Sequence, residues 1–377
     1  MRVGVDARSL AAPRGVAHYT EALLDALARG HRGDEWVLFA PGRGPVAALA
    51  RLAGHANVTV RRHVLGGRPL YGAAAIARRP RLDRLLGGGL DVVWAPAPAP
   101  LALSGGVPLV LTVHDLSFEL RPRDFTAYER FWHRLARPRR LAHSARLVMV
   151  DAATTRELVL ERWGLAPARV RVVAPGVTRP APPATAPVPG AGGESLLSAL
   201  GVGRDGTDYL LAVGALEPRK APELLVAAFT AARREGLAAE LVLAGGGRLA
   251  GRLRAPDVHV LGHVSAAELE ALYGGALALV MASWLEGFGL PPLEAAARGV
   301  PALVADLPVY RETLGEDGAL RFAPGDQRAL ARALVQIATD APLRARLVAA
   351  ASAAVSRLTW EATAHAAHAV LAEAAAR

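Results

Sequence analysis

Short apolar runs alternate with longer amphipathic stretches along this chain, and the alternation occurs twice. In the first half the runs are RVGVD (2–6), WVLFA (36–40), VTVRR (58–62), DVVWA (91–95), PLVLTVHD (108–115), RLVMV (146–150) and VRVVA (170–174). In the second they are YLLAVG (209–214), AELVLAG (239–245), VHVLG (258–262), LALVMAS (277–283) and PALVAD (301–306). Compact apolar runs separated by alanine- and leucine-rich segments are the pattern of parallel strands covered by helices. Between the halves lies PGVTRPAPPATAPVPGAGG (175–193), whose prolines can continue neither a helix nor a central strand. The expectation is therefore α/β: two doubly wound domains, 1–175 and 206–358, joined by a linker at 176–205. Two such domains facing one another imply a ligand cleft between the carboxyl ends of their strands.

Composition narrows the class. The chain has 377 residues, 52% hydrophobic and 21% charged, enough to bury two cores and too apolar for disorder. It has no cysteine, so no disulfide framework and no thiolate metal site. The first residues, MRVGVDARSL, put Asp6 where a secretion signal needs apolar side chains, and no apolar run reaches membrane-spanning length. A cytoplasmic protein is expected. Residues 1–175 hold 26 Lys and Arg against 14 Asp and Glu, so the excess of the net +10 lies in the first half. It concentrates in RRPRLDR (78–84) and YERFWHRLARPRRLAHSAR (128–146). The second stretch has two readings: an amphipathic helix on an anionic membrane face, or a solvated helix in an arginine-rich sequence. No zinc spacing or RNA-binding aromatic pattern accompanies it, which argues against nucleic acid.

Chemistry concentrates where strands end. After YLLAVG, Arg219 and Lys220 precede a helix beginning near Pro222, an arrangement suited to a phosphate or diphosphate but also to plain solvation. The glycine run LAGGGRL (243–249) permits close backbone approach to a ligand yet lacks the P-loop and dinucleotide fingerprints, and is read as a tight turn bordering a nucleotide. After LALVMAS comes SWLEGFGLPPLEAAARG (283–299), with Glu286 and Glu294 on either side of Gly287-Phe288-Gly289-Leu290. The glycines free a sharp turn, Pro291 or Pro292 suits a first helical turn, and Glu294 is expected within that turn. Two readings stay open. The carboxylates accept hydrogen bonds from sugar and ribose hydroxyls, or Glu294 is a capping group paired with Arg298 at i,i+4.

The Glu286–Glu294 stretch resembles the E-x7-E motif of the retaining glycosyltransferases of family 4, the glycosyl transferases group 1, whose fold is GT-B. The similarity runs through nearly the whole chain. GVDARSLAAPRGVAHYTEALLDAL resembles the family's first strand, glycine loop and helix; LVLTVHDLSF its central His-Asp segment; RVRVVAPGV the strand entering the linker. VGALEPRKAPELL is similar to the phosphate loop of a bacterial mannosyltransferase-like subgroup, and GHVSAAELEALYGGALALVMASWLEGFGLPPLEAAARGVPALVADLPVYRE to the donor site. The resemblance implies two Rossmann-like domains, the second holding the donor, with 359–377 forming a helix that crosses back to the first. It implies that Arg219 and Lys220 bind the donor diphosphate and Glu294 the ribose diol. Glu286 would contact hydroxyls of the transferred sugar, and the backbone of Gly287, Phe288, Gly289 and Leu290 would surround sugar and phosphate. Gly15 would reach the phosphates, His114 would sit beside the sugar, and Val264 and Ser265 would face the base. His114 also has a plain structural reading, as a lone histidine at a strand end.

Departures from the family pattern are local. The loop AAPRGVAHYT has one clear glycine, Gly15; Ala215 stands where some relatives place arginine; Asp151-Ala152 replaces a serine-rich turn. The implied reaction transfers a hexose from a nucleoside-diphosphate sugar to a hydroxyl of a glycan, lipid-linked or natural-product acceptor, with retention and by front-face attack. The chain contains no Asp-x-Asp, so no metal is expected. No cofactor is expected beyond the donor substrate, for which GDP-mannose is favoured. The basic first half would suit peripheral attachment at the inner membrane face. A nucleotide-sugar epimerase on the same fold, or a non-catalytic nucleotide-sugar-binding protein, are the alternatives.

Overall fold

A computed structural model describes the chain apart from residues 12–14, 43, 65–66, 180–192, 204–205 and 377, and describes only the backbone of residues 68 and 193–196. It divides into two compact units, Met1–Gly176 with Leu358–Arg377, and Val177–Arg357.

The first unit carries seven parallel strands: β1 (Arg2–Asp6), β2 (Glu35–Pro41), β3 (Val58–His63), β4 (Val92–Ala95), β5 (Leu109–Val113), β6 (Leu147–Val150) and β7 (Val170–Val172). Their order is β3-β2-β1-β4-β5-β6-β7. The second carries β8 (Tyr209–Val213), β9 (Glu240–Ala244), β10 (Val258–Gly262), β11 (Ala278–Met281), β12 (Ala302–Ala305) and β13 (Leu320–Phe322), ordered β10-β9-β8-β11-β12-β13. Both orders reverse direction once, between β1 and β4 and between β8 and β11. At such a point the loops leaving the two strands diverge to opposite faces of the sheet and leave a crevice at the carboxyl ends. Nearly every residue of β1, β2, β4, β5 and β6 is buried, as expected of strands covered on both faces.

Every apolar run named above forms a strand, within a residue or two at its ends. β13 was missed because its three residues, Leu-Arg-Phe, are too few for a periodic signal. The basic segment 128–146 is not one helix. Ala127–Ala136 and Pro138–Ser144 are separate helices, broken at Arg137, which adopts the left-handed conformation (φ 47°, ψ 58°). Pro138 causes the break, because a proline disfavours the α conformation of the residue before it. Trp132 turns inward against Tyr71 (ring centroids 4.9 Å apart, edge-on), whereas Tyr128 and Phe131 are exposed.

Of the 176–205 stretch, 180–192 lies outside the described residues, and Gly193–Leu200 forms a helix. The final helix, Trp360–Ala375, belongs to the first unit. Ala364, Ala367, Val370, Leu371 and Ala374 enter the same core as β1, β2 and the Gly15–Gly30 helix. Thr359 caps it, accepting from the Ala362 amide (3.1 Å).

Candidate functional site

In the second unit the loops leaving β8 and β11 lie on either side of the sheet's reversal and are tied together. The Trp284 amide donates to the Arg219 carbonyl (2.9 Å). Lys220 Nζ then meets both carboxylate oxygens of Glu286 at 2.6 Å, and Ser283 Oγ donates to Glu286 Oε1 at 2.6 Å. The two charged side chains are 16% and 7% exposed, so water screens the pair weakly. Among the described residues the Arg219 guanidinium has no carboxylate partner, but its positive charge reaches Tyr310. The Tyr310 phenol is buried beneath this loop. Burial, and then the Glu286 charge, push its pKa well above the usual value.

Of the glycines after Glu286, Gly289 has a packing reason. Gly289 takes φ +82°, and a Cβ there would lie 2.5 Å from the Tyr310 ring. The helix that follows is Leu290–Ala296. Glu294 is therefore its fifth residue, just past the expected first turn, and does not cap its amides. Nor does Glu294 pair with Arg298 through side chains. Arg298 Nη2 binds Glu270 Oε2 (2.7 Å), and Nη1 donates to the Glu294 backbone carbonyl (2.9 Å). The Glu294 carboxylate instead accepts from the Tyr273 hydroxyl (2.9 Å). Glu294 is thus a half-buried carboxylate that neither caps the helix nor pairs with the Arg298 side chain, and is held by the Tyr273 hydroxyl.

The glycine run 245–247 meets the chain itself. A Cβ on Gly245 would lie 1.9 Å from the Gly214 carbonyl oxygen, and one on Gly247 would lie 2.5 Å from that of Leu216. This turn holds the β8 loop in place. Ser265 caps the Ala266–Gly275 helix in a reciprocal box: its amide donates to Glu268 (2.6 Å), and its hydroxyl accepts from the Glu268 amide (3.2 Å). The Ser265 amide is therefore engaged, and Val264 carries the neighbouring free stretch of backbone.

In the first unit His114 follows β5 and Asp151 follows β6. The register Val113–Val150 places them side by side, with His114 Nδ1 2.7 Å from Asp151 Oδ2. Burial opposes protonation of His114, and the Asp151 carboxylate outweighs it, so the imidazole pKa is raised. Tyr19 packs edge-on against His114 (4.7 Å), and also faces Trp94 and Trp360. The sequence marks Asp151 only as a departure from the family pattern and not as the partner of His114, although a charged residue one position past an apolar run is a usable signal. Gly15 is the exposed first residue of the Gly15–Gly30 helix; residues 12–14 of its loop lie outside the described residues. Arg219, Lys220, Glu286 and the 287–290 segment share one site, with Glu294 on the helix that follows them.

Comparison with known proteins gives the same answer for each half. Residues 13–179 match the model of Glycosyltransferase Family 4, and residues 202–354 that of Glycosyl transferases group 1. D-inositol 3-phosphate glycosyltransferase of Frankia alni is 31% identical over 74% of this chain and 72% of its own length. The chain belongs to the group 1 glycosyltransferases. The O-antigen chain mannosyltransferase RfbU of Salmonella typhimurium is 45% identical over 80 residues, 21% of this chain and 22% of that enzyme. The chain thus matches less than two thirds of the length of RfbU, as it does of the D-inositol 3-phosphate glycosyltransferases of Salinispora arenicola (62%) and Streptomyces coelicolor (54%). Among solved structures, sucrose-phosphate synthase from Thermosynechococcus elongatus superposes with a TM-score of 0.73 at 18% identity, covering 99% of this chain and 98% of that one. Anabaena HepE in complex with UDP and glucose gives 0.69 at 17% identity over 99% and 100%. These likenesses establish the GT-B fold of this glycosyltransferase.

Proposed function

We propose that this glycosyltransferase moves a hexose from a nucleoside-diphosphate sugar to an acceptor hydroxyl with retention at the anomeric carbon. The observation that carries the reading is the Arg219-Lys220 pair after β8 facing Glu286 after β11, at the reversal of the donor-side sheet. Arg219 and Lys220 bind the diphosphate, and Glu294 the ribose diol. Glu286 binds sugar hydroxyls, with the backbone of Gly287 to Leu290 alongside, while Val264 borders the base. For Gly15 and His114, in the first unit, the phosphate and sugar roles are those the family resemblance implies.

In the resting site Lys220 and Glu286 neutralise one another. A bound diphosphate offers Lys220 a more highly charged partner, which releases the Glu286 carboxylate to the sugar. As the bond from anomeric carbon to phosphate oxygen breaks, charge builds on the diphosphate. The fixed cations of Arg219 and Lys220 stabilise that charge in the place of a metal. The acceptor oxygen attacks from the face the diphosphate leaves, and its proton passes to the departing phosphate oxygen. Glu286, held by Ser283 and engaged with hydroxyls, does not act as a nucleophile in this scheme.

The mannosyltransferase names of RfbU and of WbdA from Escherichia coli support a mannosyl group, for which the proposed donor is GDP-mannose; the HepE complex with UDP-glucose supports UDP as the second reading. A membrane-borne acceptor at the inner face of a cytoplasmic membrane suits the basic first unit with its exposed Tyr128 and Phe131. Failure of the protein to sediment with anionic vesicles at low salt removes that element. No helix among the described residues is long and apolar enough to cross a membrane.

The deciding experiment measures the melting temperature of wild type and Glu294→Ala with GDP, UDP, dTDP and ADP, with and without Mg2+. One nucleotide should stabilise wild type without metal, and the variant should lose the response. Stabilisation by none, or equal stabilisation of the variant, overturns the donor assignment. Turnover of a nucleotide sugar without any acceptor would favour an epimerase.

A further inference from the structure

We infer that His31, Asp34 and His368 form a binding site for a divalent transition-metal ion of the zinc type, clamping the C-terminal helix to the first unit. His31 directly follows the Gly15–Gly30 helix, Asp34 directly precedes β2, and His368 comes from the Trp360–Ala375 helix. One donor atom from each lies within 4.8 Å of the other two. His368 Nε2 is 2.7 Å from Asp34 Oδ2, and the His31 and His368 rings are stacked, with centroids 3.6 Å apart and planes 5° from parallel. The Met1 amine takes Asp34 Oδ1, leaving Oδ2 to the histidines.

Two imidazoles and a carboxylate select zinc, copper or nickel over magnesium or calcium, which want oxygen ligands. Neighbouring ligands of a tetrahedral ion with bonds of about 2.0 Å are about 3.3 Å apart. Closing on an ion therefore requires the two imidazoles to rotate out of their parallel stack, so that both ring planes pass through the ion. All three residues are half-buried, so an ion can enter from solvent. His365 lies one helical turn before His368, is exposed, and acts electrostatically on His31, which makes it a candidate fourth ligand. None of these residues belongs to the donor site or to the His114–Asp151 pair. The inference therefore stands apart from the proposed transfer reaction.

The test uses the full chain, free of any histidine tag and stripped with EDTA, titrated calorimetrically with ZnCl2. One equivalent should bind and raise the melting temperature, and Co2+ should give a visible ligand-field band. His368→Ala and Asp34→Asn should each weaken Zn2+ binding by more than the roughly 10–100-fold that loss of an outer hydrogen-bond partner costs. His143→Ala should leave it unchanged. If His368→Ala fails to fold, His31→Gln with an unaltered circular dichroism spectrum replaces it. Absence of binding by wild type, or unchanged binding in the ligand variants, overturns the site; the second result means adventitious zinc on other histidines only.

Discussion

Lys220 Nζ lies 2.6 Å from both carboxylate oxygens of Glu286, across 66 residues of sequence, so the group assigned to phosphate and the group assigned to sugar hold each other before any substrate arrives. Removing either charge alone leaves the other nearly buried and uncompensated. Lys220→Met should therefore cost about 3 kcal/mol of stability, toward the lower end for a broken buried pair because Lys220 is partly exposed. Transfer should fall by about 10²–10³-fold, the range for loss of one group aimed at developing charge. Adding Glu286→Gln should restore part of the stability and none of the activity. Urea unfolding and turnover of wild type and the two variants check this; equal stability of Lys220→Met and the double variant would sink the pairing argument.

Glu294 accepts from the Tyr273 hydroxyl and neither caps its helix nor pairs with Arg298 through side chains. Glu294→Gln should thus leave the melting temperature within a few degrees of wild type. Nucleotide affinity should fall by about 10–100-fold, from loss of charged hydrogen bonds of roughly 1.5–3 kcal/mol. Tyr273→Phe should give a smaller loss in the same direction. Calorimetric titration separates the two, and unchanged affinity in Glu294→Gln would remove the ribose role.

The raised His114 pKa makes a pH prediction with a definite sign. A histidine whose folded pKa lies above its unfolded value contributes stability that is fully present below the unfolded value, about 6.5, and is lost as pH rises through the folded one. Burial likewise raises the Asp151 pKa, which acts in the same direction. Unfolding free energy should therefore decline as pH rises from about 6.5. In Asp151→Asn burial acts on His114 without its counter-charge, so the imidazole pKa should drop and the decline shrink. Imidazole titration by NMR reads this directly. An unshifted His114 would show that Asp151 does not hold it.

Gly289 is required by conformation and by space together. Gly289→Ala must place a side chain at φ +82° and within 2.5 Å of the buried Tyr310 ring. The backbone term alone is about 1–2 kcal/mol. A lowered melting temperature and impaired nucleotide binding should appear together, because the same turn carries Glu286 and Glu294. In Gly289→Ala with Tyr310→Leu the steric part of the loss should be relieved; an equal loss with and without Tyr310 would leave only the backbone term.

Much was legible in one dimension. Alternation of apolar runs with amphipathic stretches is local, so the strands and the α/β class could be read from side-chain type alone, whereas the roles expected of Arg219, Lys220, Glu286, Glu294 and His114 rested on the family resemblance. What failed had a different physical origin in each case. β13 is too short to be periodic. The basic helix was split by one proline, whose effect falls on the residue before it. The glycines of 245–247 serve the carbonyls of Gly214 and Leu216, a contact invisible in a linear pattern.

Sequence alone thus determined which residues are available and on which elements they ride, because propensity and periodicity act over a few neighbours. Tertiary structure decided the partners: Lys220 for Glu286, Glu270 rather than Glu294 for Arg298, Asp151 for His114, and His368 for Asp34. These pairs are 66, 28, 37 and 334 residues apart. Strand order and helix packing bring them together, and a hydrogen bond a few ångströms long depends on that placement rather than on the identity of nearby residues.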